Sequence, residues 1–277
     1  PVIGLVPPDP SSLSPRDLLG LLKLGQYAKS LSEKELYQIA KLLTQSAADP
    51  KRSFLKFVEE KHLPGEFVQQ IRNFRVRGSS GKVNIALSEL PDFSCLPGEG
   101  PMHRGAISIS PSMEYIERAY DEAKYGEFAK NPYIDMIIPS MIDRDMAPPG
   151  HHVMSCFVQY APYDIEGGWD DAKRDAFGET VISTIERYAP NIRRAIVGKQ
   201  VITPKDIENI AGITGGNIFH GELLLHQLFF LRPAPQWADF RTPLPGYYFG
   251  ASGAHPGGGV MGAAGKMAAQ EALKDWK

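Results

Sequence analysis

Residues 246–266 read Gly-Tyr-Tyr-Phe-Gly-Ala-Ser-Gly-Ala-His-Pro-Gly-Gly-Gly-Val-Met-Gly-Ala-Ala-Gly-Lys, an aromatic segment followed by a glycine-dense turn and a helix of small residues. Tyr247, Tyr248 and Phe249 favour a strand, because aromatic side chains pack well on a pleated surface. The glycines at residues 257–259 let a ligand come close to the backbone, because they carry no Cβ atom. This order of features predicts a strand, a turn and a helix that form half of a cofactor-binding cradle.

The helix after the turn is predicted at about residues 260–273. Its first N–H groups lack partners within the helix, and its positive dipole end would face an anionic or electron-rich group over the glycines. Its small residues suit very close packing, although each interior glycine costs roughly 0.8–1 kcal/mol against alanine. A glycine-rich loop with a tightly packed terminal helix and no ligand has the same spacing, so both interpretations stay open.

Several segments form an ordered set of motifs with this one. They are Lys82-Val-Asn-Ile-Ala-Leu87, Val158-Gln-Tyr-Ala-Pro-Tyr163, Gly215-Gly-Asn-Ile-Phe-His-Gly-Glu222 and Leu231-Arg-Pro233. With the run from Thr242 to Gly265, the set resembles the C-terminal portion of phytoene dehydrogenase-like FAD oxidoreductases. It is most similar to the branch that contains the mitochondrial pyridine nucleotide-disulfide oxidoreductase domain protein and its bacterial relatives. The resemblance extends from about Asp49 onward and is more specific than one glycine motif.

The resemblance implies an α/β (α+β) fold in which helices cover a mixed β-sheet. It corresponds to the substrate-binding domain and the C-terminal flavin-contacting part of a glutathione-reductase-like FAD fold. Residues 1–48 would form a helical segment of the substrate or cap region, residues 49–240 the substrate-binding domain, and residues 241–277 the strand, glycine turn and helix of the FAD-binding domain. The alternation of helical and strand periodicity agrees with a sheet covered by helices.

Two features depart from the family pattern. The G-x-G-x-x-G motif that holds the FAD diphosphate at a helix N-terminus follows no strand in this sequence. In addition, residues 42–49 resemble an early helix of the family, whereas residues 49–56 resemble a segment beyond a long block. We therefore expect an incomplete version of the fold, without the first nucleotide-binding unit and with a missing block near residues 48–50. The alternative is continuous numbering across an internal gap.

Local patterns predict the order of the elements. Helices are expected over most of the first fifty residues and at about residues 65–74, 113–124 and 170–188. A short helix is expected to begin at the capping box of residues 203–206 and to end at Gly212. Apolar alternation predicts strands at about residues 82–87, 106–110, 133–138, 152–160 and 195–202.

Composition limits the classes of partner. A net charge of −2 and a pI near 6.4 over 277 residues give no general attraction for nucleic acid or acidic membranes. A small-molecule substrate is the expected partner, with a homo-oligomer or the remainder of the enzyme as protein partners. Cys95 and Cys156 are far apart, which excludes C-x-x-C redox chemistry, so an oxidoreductase would depend on a bound cofactor. No run approaches the ~18 apolar residues of a transmembrane helix, and none is predicted.

The resemblance implies FAD as the cofactor, with its flavin ring over the glycine turn. Backbone N–H groups of Val260, Met261 and Gly262 would face the N1/C2=O edge, where negative charge accumulates on reduction. The predicted cofactor-binding residues are Gly250, Ser252, Gly257, Gly258, Gly259, Val260, Met261 and Gly262. Gly250-Ala251-Ser252 stands where many related flavoproteins carry Gly-Asp, and the diphosphate motif is missing. We therefore expect weak or no FAD binding by this chain alone.

The sequence assigns no catalytic residue, and His255 and Arg232 are the candidates. His255 would be a proton donor or a hydrogen-bonded structural residue, and Pro256 biases it toward an extended backbone. Arg232 would pair with a cofactor phosphate or a substrate carboxylate, or else form a structural or surface salt bridge. His220 and His226 have neither i,i+4 nor H-E-x-x-H spacing, so no metal site is predicted.

A group of apolar residues has two interpretations. Its members are Phe219, Leu223, Leu224, Leu228, Phe229 and Phe230. They would line an apolar substrate tunnel or, as helically spaced apolar residues usually do, would be buried in the core.

The predicted function follows from the resemblance. The chain would be part of an FAD-dependent oxidoreductase that transfers a hydride from an organic, apolar substrate to flavin. The alternative is a catalytically silent fragment or scaffold that uses a vacant flavin groove to hold a protein partner or to dimerise. The resemblance implies the mitochondrial matrix or the bacterial cytoplasm and does not separate the two.

Overall fold

The computed structural model describes residues 49–259 and 262–275. The helical segment predicted at residues 1–48, the N-terminal side of the predicted break near residues 48–50, and Val260 and Met261 lie outside the described residues. The described chain divides into two compact units. Gly78–Ile207 form the sheet unit, and residues 49–77, 208–259 and 262–275 form the helical unit. The predicted boundaries of the substrate-binding and FAD-binding domains stay predictions.

Five strands of the described chain form one sheet. They are β1 Ser80–Leu87, β2 Ile107–Ile109, β3 Tyr133–Ile137, β4 His152–Gln159 and β5 Ile196–Ile202, in the spatial order β2-β3-β4-β1-β5. Every neighbouring pair is antiparallel, so the prediction of a mixed sheet is wrong in strand direction. The spacing of apolar residues indicates where strands lie, but the long connections between these strands permit either direction.

Seven α-helices are present in the described chain. They are α1 Pro50–Leu55, α2 Gly65–Asn73, α3 Met113–Lys124, α4 Asp171–Glu186, α5 Ile192–Ala195, α6 Pro204–Ala211 and α7 Ala263–Asp275. Short 3₁₀ helices lie at Glu60–His62, Pro101–Arg104, Pro139–Met141, Arg144–Met146, Leu225–Gln227 and Phe229–Leu231. The helices and strands predicted from periodicity in the sheet unit are observed, and α3 has the predicted bounds.

Alternating side chains build the core of the sheet unit. Val83 and Ile85 of β1 are buried, whereas Lys82 of the same strand is exposed on the opposite face. Phe177 of α4 packs into the same cluster. A Cβ atom added at Gly81 would lie 2.6 Å from the Phe177 ring, so the helix touches the strand backbone there. The predicted covering of the sheet by a helix is confirmed for this face.

Aromatic and small side chains build the core of the helical unit. The ring centroid of Phe54 in α1 lies 5.3 Å from that of Phe249. Ala264 and Ala268 of α7 belong to the same buried cluster. A Cβ atom added at Gly250 would overlap the Ala268 Cβ and would lie 3.0 Å from the Ala264 carbonyl oxygen. The close packing predicted from the small residues of this helix is therefore observed.

The aromatic segment at residues 247–249 is not the regular strand that the sequence predicts. Tyr248 forms one isolated antiparallel bridge with Arg241. Pro243 lies between the two bridged residues and has no N–H group, so pairing cannot extend toward the turn that connects them. The predicted helix after the glycines is observed from Ala263, while residues 260 and 261 lie outside the described part.

Candidate functional site

The glycine turn, residues 257–259, has a backbone that favours glycine. Gly257 has a φ of 104° and Gly259 a φ of 131°, and Gly262, just before α7, has a φ of 65°. Residues with a Cβ atom rarely adopt these angles. The Gly257 N–H donates to the Ala254 carbonyl oxygen at 2.8 Å. Backbone conformation therefore requires glycine at these positions, in addition to any need for a ligand to approach.

Gly258 differs from its neighbours because it is not among the residues with a left-handed backbone. A Cβ atom added there would lie 3.7 Å from the Cβ and Oγ atoms of Ser252, which is ordinary van der Waals contact. The described backbone and its neighbours thus leave room for a side chain at this position. Gly258 is the residue at which a side chain and a ligand would compete for the same space.

The start of α7 leaves backbone donors without helical partners. The Lys266 N–H donates to the Gly262 carbonyl oxygen at 2.9 Å, which puts Gly262 at the N-cap position. Glycine offers no side-chain acceptor for the first N–H groups of a helix. A ligand acceptor is therefore compatible with Gly262. The matching prediction for Val260 and Met261 falls outside the described residues.

Arg232 is completely buried. Its Nη2 atom donates to the Phe219 carbonyl oxygen at 2.9 Å and to the Ser252 carbonyl oxygen at 3.0 Å. Its Nε and Nη1 atoms have no hydrogen-bond partner. Burial lowers the pKa of the guanidinium to about 10, so it stays charged at neutral pH. The salt bridge that the sequence left open for Arg232 is not observed, because no carboxylate of the described residues pairs with it.

The two unpartnered nitrogens of Arg232 face different surroundings. A Cβ atom added at Gly221 would overlap the Phe74 ring and lie 3.1 Å from Nη1, so packed atoms enclose that nitrogen. A Cβ atom added at Gly257 would lie 3.9 Å from Nε and 3.9 Å from the Leu223 Cδ2 atom, which is ordinary van der Waals contact. A buried cationic N–H group and an apolar side chain therefore adjoin the glycine turn at Gly257.

The loop that carries Phe219 is held by hydrogen bonds within the helical unit. The Asn217 Nδ2 atom donates to the Arg77 carbonyl oxygen at 2.9 Å, and its Oδ1 atom accepts from the Phe219 N–H at 2.9 Å. The buried Gln227 side chain accepts from the Arg75 N–H at 2.6 Å and donates to the Arg75 carbonyl oxygen at 3.1 Å. These bonds fix the backbone that supplies one of the two carbonyl partners of Arg232.

His220 lies next to the carbonyl that Arg232 contacts. It has a φ of 54°, and its Nδ1 atom is buried without a partner. Burial lowers the pKa of His220, and the nearby charge of Arg232 adds to this effect while Asp49 opposes it. The imidazole is therefore neutral at neutral pH. The sequence raises His220 only as a candidate metal ligand. No sequence pattern indicates a neutral imidazole beside a buried cation.

His255 and Gly250 are placed differently from the rest of the predicted site. The half-buried His255 ring has its centroid 6.0 Å from that of Phe229 at an interplanar angle of 45°, and no hydrogen bond of this ring is found in the described part of the chain. Gly250 lies against Ala268 of α7. The structure thus brings Ser252, Gly257 and Arg232 together, whereas the packing of Gly250 already accounts for a glycine there.

The apolar group of residues 219–230 does not form an α-helix, and four of its side chains are not buried as the core interpretation predicted. Phe229 is 59% exposed and Phe230 74% exposed, and Phe219 and Leu223 are also exposed. Leu228 is extended, with φ −116° and ψ 169°, and Phe229 has a φ of 53°, so the helical spacing is interrupted. The core interpretation is therefore wrong for these four side chains, and the tunnel stays a prediction.

The described residues contain neither a cluster of metal-ligating side chains nor a membrane-spanning helix. No group of three His, Cys, Asp or Glu side chains there could hold a metal ion. No helix in the same part of the chain has the length and apolar character needed to cross a membrane.

Known proteins share much of this sequence, although no family model matches it. The pyridine nucleotide-disulfide oxidoreductase domain-containing protein 2 of Rattus norvegicus is 42% identical over 240 residues, which cover 84% of this chain. The Mus musculus protein of the same name is 41% identical over 240 residues. The chain belongs to this family. It spans 41% of the length of both relatives, and the predicted resemblance to the C-terminal portion of the family is confirmed.

The chain also resembles a dehydrogenase and a desaturase at lower identity. A 4,4'-diapolycopen-4-al dehydrogenase of Metabacillus indicus is 33% identical to the chain over 135 residues, which are 48% of the chain and 26% of that protein. A 4,4'-diapophytoene desaturase of Staphylococcus aureus is 26% identical over 165 residues, which are 56% of the chain and 32% of that protein. An FAD-oxidoreductase relationship is consistent with the mixed α and β architecture.

Proposed function

We propose that this chain forms the C-terminal part of an FAD-dependent oxidoreductase that takes a hydride from an apolar organic substrate. One observation carries the proposal: the guanidinium of Arg232 is fully buried without an acid and has an unpartnered Nε atom beside the glycine turn. A buried cation with missing partners is costly unless a ligand completes its hydrogen bonds.

The residues present fit the flavin of FAD. The backbone conformation favours glycine, which has no side chain, at Gly257, Gly259 and Gly262. At Gly258 the space that a side chain would occupy is free. Leu223 gives this space an apolar wall, which suits a flat ring better than a freely hydrated anion. Gly250, Ser252, Val260 and Met261 complete the proposed set of cofactor-binding residues.

When bound, the flavin would accept the hydride at N5 and so supply the redox chemistry. The chain's own contribution is positioning and charge. The glycine turn admits the ring, the first N–H groups of α7 and the Arg232 cation face developing negative charge, and the apolar group supplies a dry surface for substrate. The relatives named as a desaturase and as a dehydrogenase support an apolar substrate class.

A scaffold remains the second candidate, and the exposed apolar side chains favour it. Leu225 is 85% exposed and Phe230 is 74% exposed. Exposed apolar residues of this size mark protein or ligand contacts when they are grouped. A scaffold would hold a protein partner at this surface and would bind no flavin.

Titration of the purified chain with lumiflavin tests the proposal. This ring lacks the ribityl and phosphate groups, so it probes the turn without the missing diphosphate motif. Gly258→Val should weaken binding at least tenfold, or about 1.4 kcal/mol, because the fold accepts a side chain where the ring would lie. Gly65→Val is the matched control, since an added Cβ at Gly65 meets no atom within 4 Å.

The outcomes separate the two candidates. Quenching of lumiflavin fluorescence by the wild type and by Gly65→Val, but not by Gly258→Val, supports the flavin site. A wild-type chain that leaves the fluorescence of lumiflavin unchanged supports the scaffold. Equal affinity of the wild type and Gly258→Val shows that flavin binds elsewhere.

A further inference from the structure

Arg232 has a specific distribution of satisfied and unsatisfied donors. Both hydrogens of Nη2 are used by the Phe219 and Ser252 carbonyl oxygens. The guanidinium carbon lies 5.5 Å from the centroid of the Phe74 ring. Contacts with the protein therefore hold the guanidinium in place and leave its charge without a counterion among the described residues. A surface arginine needs no such support, because water satisfies its donors.

One of the free donors lies next to the glycine turn. Nη1 is enclosed by Phe74 and by the backbone at Gly221. Nε faces the space beside Gly257, where Leu223 is the other nearest neighbour. In arginine, the Nε hydrogen and the two Nη1 hydrogens point away from opposite edges of the planar guanidinium group. A ligand beside Gly257 would consequently meet a single N–H donor and not a two-pronged fork.

The number of donors indicates the kind of acceptor. A diphosphate carries several charged oxygens and is held by many donors, such as a fork of arginine or a row of backbone N–H groups. A single buried N–H next to a leucine suits one carbonyl oxygen on a flat and otherwise apolar group. The pyrimidine edge of a flavin has such an oxygen, and reduction places negative charge on that edge.

We propose that Arg232 donates a hydrogen bond from Nε to a carbonyl oxygen on the pyrimidine edge of the flavin and stabilises the negative charge that forms there. This inference rests on the proposed function and deepens it. Arg232 is then a positioning and charge-stabilising residue for the cofactor. It raises the reduction potential of the bound ring because the reduced, negatively charged form gains more from the cation than the oxidised form does.

Sulfite provides a readout that is independent of enzyme activity. Its sulfur lone pair forms a bond to flavin N5, and the displaced electron pair spreads onto N1 and the C2 carbonyl oxygen. A cation at that edge stabilises the adduct. In the lumiflavin-loaded chain, Arg232→Met should raise the dissociation constant of the sulfite adduct by about a hundredfold, as for loss of one preorganised donor to a developing charge. The midpoint potential of the flavin should fall in parallel.

Two variants make the test specific. Arg232→Gln is also neutral but keeps a polar amide in the buried site, so it carries the test if Arg232→Met does not fold. Arg241→Met is the matched control, because Arg241 pairs with Glu271 and Asp275 near the other end of α7. Circular dichroism verifies the fold of each variant, and the control should bind sulfite as the wild type does.

Each result has one meaning. Weakened sulfite binding in the neutral variants, with the control unchanged, supports the inference. Sulfite affinity within twofold of the wild type in a flavin-loaded neutral variant overturns it and leaves the flavin site intact. A wild-type chain that does not bind lumiflavin overturns both proposals. Binding of ADP but not lumiflavin, lost in Arg232→Met, assigns Arg232 to the diphosphate and overturns the ring assignment.

Discussion

Asp206 and Arg232 are charged side chains with opposite surroundings. Asp206 accepts hydrogen bonds from the Thr203 N–H at 2.9 Å, the Thr203 hydroxyl at 2.8 Å and the Arg174 Nη2 atom at 3.0 Å. Arg232 is more deeply buried and uses one of its three nitrogens. The first arrangement serves the fold, since it caps α6 and holds α4 beside it. The second is incomplete within the described chain, which is why we assign Arg232 to a ligand.

The pairing of Asp206 predicts a pH dependence of stability. Burial alone would raise the pKa of this carboxyl, but the hydrogen bonds from Thr203 and Arg174 outweigh it and hold the pKa below its ordinary value. The carboxylate therefore stabilises the fold above the unfolded-state pKa of about 3.9. That contribution is lost as the pH falls through the lower folded-state value.

Denaturant unfolding of Asp206→Asn measures this contribution. The free energy of unfolding at pH 7 should fall by about 1–3 kcal/mol, and its decline toward acid pH should be less steep than in the wild type. Asp171→Asn is the control, because that carboxylate also contacts Arg174 but is 94% exposed. An unchanged acid slope in Asp206→Asn would show that the carboxyl contributes nothing to acid stability.

At the scale of elements, the packing of α7 on residues 249–250 decides where the glycine turn lies. Gly250 contacts Ala268 so closely that a Cβ atom would overlap it. Ala264 and Ala268 are buried in the same cluster as Phe249. A small residue is therefore needed on both sides of this contact. The contact fixes the chain at Gly250, a few residues before the glycine turn.

A double-mutant cycle tests this contact. Gly250→Ala should destabilise the chain by about 1–3 kcal/mol, because it overpacks the core. Ala268→Gly alone should cost up to about 1 kcal/mol through helix propensity. In combination the second change should recover part of the first loss, since it removes the atom that clashes. Strictly additive free energies of unfolding would mean that the two residues do not press on each other.

Elements with regular periodicity could be predicted from the sequence. α3 has the predicted bounds because Ser112 caps its N-terminus and apolar residues recur at helical spacing. The close approach of α7 could be predicted because Ala and Gly predominate in its first two turns. Strand direction could not, because alternation indicates which face of a strand is buried and carries no information on its neighbours.

Other parts of the site depended on tertiary contacts that no local pattern contains. The exposure of Phe229 follows from its left-handed backbone, with a φ of 53°, where helical spacing predicted a buried face. The burial of Arg232 without an acid depends on carbonyl oxygens of Phe219 and Ser252, which lie far apart in sequence. Its motif, Leu-Arg-Pro, is compatible with a surface ion pair as well as with a buried donor.

At the scale of the whole molecule, the chain combines an antiparallel sheet unit with a helical unit that contains the glycine turn. It spans 41% of the length of its rat and mouse relatives. We propose that the chain supplies contacts to the flavin ring in a complete family member. Arg232, Ser252 and Gly257, which lie together in the described residues, are the observation on which that proposal depends.

An experimental structure of the chain with bound flavin tests the central claim most directly. We predict electron density for the ring beside the glycine turn, with a pyrimidine carbonyl oxygen 2.7–3.2 Å from the Arg232 Nε atom, the usual range of an N–H···O hydrogen bond. The account is contradicted if the ring lies elsewhere, or if the space beside Gly257 is filled by the protein's own side chains while Nε bonds to them.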